Sequence, residues 1–151
     1  MIVQVIAAVV GTTAFALLFE VPRQYYMTCG VIGGIGWFLY LFMVEKLGLT
    51  AVEATFIATV VVVLMSRFSA VKERCPATIF SIPGIFPLIP GGGIYWTAHY
   101  IVLNQYDKAM ESGMEAAKAA FALVLGIIVV FEIPQKLFKI QRKETGKKQG
   151  E

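Results

Sequence analysis

Seventeen residues, Ser81–Thr97 (SIPGIFPLIPGGGIYWT), constrain this chain most. They carry three prolines and four glycines within a segment otherwise apolar enough to lie in lipid. A helix interior loses about 3 kcal/mol at a proline and about 1 kcal/mol at a glycine relative to alanine. Pro83, Pro87, Pro90 and the run Gly91–Gly93 therefore predict a broken helix. In a bilayer, backbone groups freed by such a break must be satisfied by protein or by a watery cavity. Broken helices of this kind form the solute sites of many transporters.

The rest of the chain has the balance of a membrane protein. Of its 151 residues 58% are hydrophobic and 15% charged, whereas soluble domains run nearer half apolar and a quarter charged. Crossing a hydrocarbon layer of about 30 Å takes about 20 apolar residues. The pattern predicts five spans: Ile2–Phe19, Tyr26–Val44, Thr50–Phe68, the broken Ala77–Gln105, and a fifth that begins near Asp107, becomes fully apolar at Ala119 and stops at Glu132 and Pro134. The expected fold class is an all-α polytopic bundle over residues 1–135, followed by a basic tail over 136–151. No soluble domain fits beside the spans.

Lysine and arginine orient the bundle. With the C-terminus inside, the inner side collects Arg23, Arg67, Lys72, Arg74 and the six basic residues of the tail, against Lys46, Lys108 and Lys118 outside. The positive-inside rule then places the N-terminus outside and the C-terminus in the cytoplasm. A four-span alternative treats the broken segment as a re-entrant loop and puts Arg67–Arg74 on the side opposite the tail. The tail reads as a contact for anionic lipid headgroups, not for nucleic acid. No positive charge precedes the first apolar run, so that run is expected to be a span and not a cleaved signal. Cys29 and Cys75 make neither a disulfide framework nor a metal-ligand set, and no cofactor or metal is expected.

Several residues invite a sharper reading. Gly30, Gly33 and Gly34 in GVIGGIG put small residues on adjoining helical stripes, the pattern of close helix packing in lipid. Thr50 and Glu53 have the spacing of a capping box, which explains the glutamate by itself. The chemical reading of Glu53, and of His99 as the single histidine, is proton coupling. Phe19-Glu20-Val21-Pro22 and Phe131-Glu132-Ile133-Pro134 end the first and fifth spans alike, a match short enough to arise by chance. HExxH, GxSxG and paired intramembrane aspartates are missing, so a membrane enzyme is not expected.

From Ile94 to Gln105 is about 18 Å of helix at about 1.5 Å per residue. A half-helix starting after Gly91–Gly93 would thus begin near the bilayer midplane. Its free N–H groups and dipole favour an anion such as a carboxylate, and the glycines let it approach the backbone.

Phe19-Glu20-Val21-Pro22 with Arg23, the glycine-rich second span, Phe56-Ile57-Ala58-Thr59 and above all Pro87-Leu88-Ile89-Pro90-Gly91 resemble the threonine/serine exporter (ThrE) family. The likeness is to the small membrane subunit of its split, two-component members and covers essentially the whole chain. It implies export of threonine and serine, or of a dicarboxylate such as succinate, across a bacterial inner membrane. It also implies a larger ThrE-type subunit as partner. Pro87, Pro90, Gly91, Gly92 and Gly93 are then expected along the solute path, with Thr97 supplying a hydroxyl one turn on. The glycine face and small size predict a homo-oligomer. The alternative function is a non-transporting scaffold that stabilises the larger partner.

Overall fold

The structure, a computed structural model, describes residues 2–133. The tail expected over 136–151 lies outside the described residues, as does Pro134. Every regular element among them is helical: α1 (Ile2–Leu18), α2 (Tyr26–Leu47), α3 (Ala51–Glu73), α4 (Thr78–Ile85), α5 (Gly91–Val102) and α6 (Tyr106–Glu132), with short 3₁₀ turns at Arg23–Tyr25 and Phe86–Leu88.

Local chemistry sets the ends. Glu20 adopts φ 55° after α1, and Val21 N–H then reaches the Ala16 carbonyl at 3.0 Å, closing the helix with buried Val21 beneath it. This is a Schellman-type stop built on glutamate in place of the usual glycine. Gly48 (φ 66°) ends α2 and Arg74 (φ 57°) ends α3 in the same left-handed region. Lys72 and Glu73 therefore belong to α3, which runs past Phe68, the expected end of the third span. At the other end of α3, Thr50 and Glu53 form the expected capping box: the Glu53 carboxylate accepts from Thr50 N–H at 2.9 Å, and Glu53 N–H donates to the Thr50 hydroxyl at 3.4 Å.

Small residues decide how the helices pack. A Cβ on Gly33 would collide with the Thr12 side chain, and one on Gly34 with Val9. α1 thus lies antiparallel against the glycine face of α2. Gly36 admits Val62 of α3 just as closely, and Gly84 of α4 would place a Cβ 3.0 Å from Ile32 and 3.1 Å from Val62. The core gathers there, with Cys29, Ile32, Ala58, Val62, Phe80 and Leu88 buried. The Tyr25 ring meets Phe80 edge-on at 5.2 Å.

α6 packs on α3 in the same direction. A Cβ on Gly126 would meet Thr59 at 3.0 Å, and further along both helices Arg67 donates to the Val130 carbonyl. α5 packs antiparallel on α6, with Gly93 against Ala116 and Gly113 against Thr97. Among the described residues, three helices are long and apolar enough to cross a membrane: α2 with its leading turn, α3 and α6. The segments Thr78–Leu88 and Gly91–Val102 pass the same test together and are bent by 46°. α1 is apolar but 17 residues long.

Candidate functional site

The predicted break is present, and its elbow is two residues long. α4 runs through Pro83 and tightens to a 3₁₀ turn holding Pro87. Ile89 then goes extended (φ −64°, ψ 130°). Pro90, at φ −74° and ψ 52°, carries an inverse γ-turn in which Gly91 N–H donates to the Ile89 carbonyl at 2.7 Å. The second half-helix starts at Gly91 and not after the glycines: Ile94 N–H already donates to the Pro90 carbonyl at 3.2 Å. Gly91–Gly93 are its first turn, where the Gly92 and Gly93 amides have no acceptor within the helix.

The three glycines differ in what surrounds them. Added Cβ atoms at Gly91 and Gly92 would meet nothing within 4 Å. One at Gly93 would lie 2.8 Å from the Ala116 Cβ, so Gly93 serves the contact between α5 and α6. Thr97 faces the same seam beside Gly113, and its hydroxyl donates to the Gly93 carbonyl at 2.7 Å. That bond occupies the proton, leaving the oxygen as an acceptor.

Depth also differs from expectation. Ala116 precedes Gly126 by ten residues, about 15 Å of helix, whereas Thr59 follows Ala51 by eight, about 12 Å. Because α3 and α6 run side by side in one direction, Gly93 is level with the first residue of α3. The elbow therefore opens at the Ala51 end of the bundle and not at its middle. α5 and the first half of α6, with Asp107, Lys108, Glu111 and Glu115, rise beyond that end.

Mid-depth is occupied by the proline side of the break. A cleft of about 300 Å³ lies between Gln4, Ala7 and Ala8 of α1, Trp37 of α2 and Pro87. Level with it, Val62, the twelfth of 23 residues in α3, fills the space at Gly36. Gln4 and Trp37 were not singled out from sequence. A lone glutamine early in an apolar helix was the available signal for the first.

The titratable candidates stand apart from this cleft. Glu53 caps α3 and lines a separate groove of about 570 Å³ between α3 and α6, together with Lys118, Phe56 and Phe121. His99 sits half-buried on α5, stacked on Tyr95 at 6.1 Å and edge-on to Trp96 at 5.4 Å. Gly30, Gly33 and Gly34 lie under α1, away from the elbow. No group of three or more His, Cys, Asp or Glu residues among those described is placed to hold a metal.

The family described as Threonine/Serine exporter, ThrE matches residues 4–133. A protein of Mycobacterium tuberculosis named probable threonine/serine exporter is 24% identical over 129 residues, covering 85% of this chain. The chain spans 24% of that relative's length. No solved structure matches it. The break, the glycine first turn and the preceding prolines all fall inside the matched residues, and the chain belongs to the threonine/serine exporter family.

Proposed function

We propose that this chain is the membrane subunit of a secondary exporter for small carboxylate-bearing metabolites. The substrates are threonine and serine, or a dicarboxylate such as succinate, and the chain works with a larger ThrE-type subunit in a bacterial inner membrane. The observation that carries the reading is the elbow: a span bent by 46°, opening onto exposed glycine amides, within an exporter-family chain. Solute passes from the cleft at Pro87 to the mouth at Gly91 and Gly92, where free amides and the α5 dipole favour its carboxylate. The parallel course of α3 and α6 supports five spans, since the α4–α5 pair then returns between them as a broken span. The basic residues support an outer N-terminus. If the driving ion is a proton, His99 suits it better than Glu53, whose Oε2 already accepts both the N–H and the hydroxyl of Thr50 at 2.9 Å.

The test is efflux of labelled threonine, serine and succinate from cells lacking the chain and from cells regaining it. Restored efflux of a carboxylate solute is expected. Equal efflux from both cell types contradicts the reading. The scaffold alternative draws on one observation, that the chain matches only 24% of its relative's length. It predicts that efflux depends on the presence of the chain and is indifferent to the side chains at its elbow.

A further inference from the structure

Two cavities lie on one seam of the bundle. The cleft at Pro87 is lined on its α1 side by Gln4, Ala7 and Ala8. A second cavity, of about 300 Å³, opens at the other end of the seam, between Phe19 and Glu20 just past α1 and Thr78, Ile82 and Pro83 of α4. Gln4, Ala8, Gly11, Phe15 and Phe19 follow one another at spacings of three and four, so a single face of α1, continued through Phe19, runs from cleft to pocket. Between the two the seam is shut. The Phe15 and Phe86 rings are 3.4 Å apart centre to centre, and Phe19 stands 6.4 Å from Phe86. Phe19 also lines the pocket, and Pro87, next to Phe86, lines the cleft. Phe15 and Phe86 are half-buried and Phe19 is exposed, so the three rings close the seam without belonging to the buried core. A Cβ on Gly11, one turn from Phe15, would meet nothing within 4 Å, which leaves room for a displaced ring.

We infer that the pocket at Glu20 is the loading site of the transport path, where the Glu20 carboxylate receives the ammonium group of an amino acid, and that the Phe15–Phe86 pair is the barrier between this pocket and the cleft. The inference rests on the exporter reading and narrows its substrates to amino acids. In the orientation proposed above, this end of α1 faces the cytoplasm, and Glu20 is exposed, as a group that meets solute from the cell must be. An anionic side chain among mostly apolar walls attracts an ammonium and repels a dicarboxylate. Thr78 adds a hydroxyl that can accept from the ammonium or bond the hydroxyl of serine or threonine. The volume is at the small end for ligand pockets and suits a solute of few atoms. An apolar constriction holds back polar solute until its walls part. Phe86 belongs to the 3₁₀ turn that leads into the elbow, so a change of bend at Ile89 and Pro90 carries its ring off Phe15. The ammonium is then read at one end of the path, and the carboxylate at the other by the Gly91 and Gly92 amides.

The experiment replaces the chromosomal copy by Glu20→Gly and by Phe15→Ala, so that any partner is retained, and quantifies the chain in the membrane. Glycine keeps the left-handed stop at φ 55° and removes the carboxylate; Glu20→Asn, also suited to that region, decides if the glycine variant fails to accumulate. Efflux is measured against internal concentration for serine and for 3-hydroxypropionate, which is serine without its amino group. For Glu20→Gly the half-saturating serine concentration is expected to rise about ten- to a hundredfold, the range for losing a hydrogen bond to a charged group. That for 3-hydroxypropionate is expected to stay, so the preference for serine vanishes. Phe15→Ala is expected to let labelled serine equilibrate across the membrane of de-energised cells about tenfold or more faster than wild type; Phe86→Leu decides if Phe15→Ala fails to accumulate. A role of Glu20 confined to ending α1 leaves half-saturation and preference unchanged, and that result overturns the loading site. Flux in de-energised cells no faster than wild type, with the chain in normal amount, overturns the barrier. Wild-type efflux that depends on the chain without preferring serine to 3-hydroxypropionate overturns the inference and leaves the exporter reading standing. Wild-type cells showing no efflux dependent on the chain overturn both.

Discussion

The thiol of Cys29 on α2 donates to the backbone carbonyl of Ile79 on α4 at 3.6 Å. Pro83 is the cause. It stands four residues after Ile79 and has no N–H, so that carbonyl has lost its helical partner. A neighbouring helix supplies a replacement, as broken membrane helices require. Cys29→Ala is expected to lower stability in detergent by about 1 kcal/mol for the orphaned acceptor, beyond the loss of volume. Pro83→Ala restores the N–H, and in that background the hydrogen-bond part of the loss should disappear. A double-mutant cycle of thermal midpoints measures it. A Cys29→Ala loss identical in both backgrounds would show that the thiol only fills space.

The α1–α2 seam makes an internally controlled prediction. Gly33→Ala forces a methyl into the Thr12 side chain, whose hydroxyl is buried without a hydrogen-bond partner among the described residues. Overpacking of this kind costs about 1–3 kcal/mol. Gly11→Ala, on the facing helix, meets nothing within 4 Å and should leave stability unchanged or raise it by up to about 1 kcal/mol, the helix-propensity gain. Similar losses for both substitutions would contradict the packing described.

Membrane orientation can be read from Cys75, which lies in the turn between α3 and α4 and is half-buried. Burial pushes its thiol above the ordinary cysteine range, with the Tyr25 hydroxyl as a smaller opposing influence. Less thiolate is then present at pH 7, so labelling by a membrane-impermeant maleimide should be slow there and accelerate as pH rises toward 9. With the C-terminus cytoplasmic, the turn faces the cytoplasm. Inverted vesicles should label and intact cells should not. Rapid labelling of intact cells would reverse the proposed topology. Cys29, fully buried in α2, should stay unlabelled throughout.

Much of this architecture was legible from residue types. Proline and glycine chemistry located the break, and the Thr50–Glu53 spacing gave the cap of α3, because both act within one turn of chain. The start of the second half-helix was misplaced by three residues. Gly91–Gly93 occupy its first turn, where Pro90 supplies the stop and an amide without an acceptor is normal. Depth was illegible, because it follows from Gly93 meeting Ala116 and Gly126 meeting Thr59, contacts between distant parts of the chain. Arg67 was counted with the inner basic residues by its charge. Only the packing of α6 on α3 reveals it as buried.

The most direct test is serine, threonine and succinate efflux through chains carrying Gly91→Leu and Gly92→Leu, expressed in the native host so that any partner, such as the larger subunit proposed above, is retained. Both positions face open space, so the fold should accommodate the new side chains and the chain should reach the membrane in normal amount. The account predicts efflux reduced about tenfold or more, since each leucine covers the amides that receive the carboxylate. Undiminished efflux from both variants would contradict a solute path through the elbow and leave the chain as a scaffold.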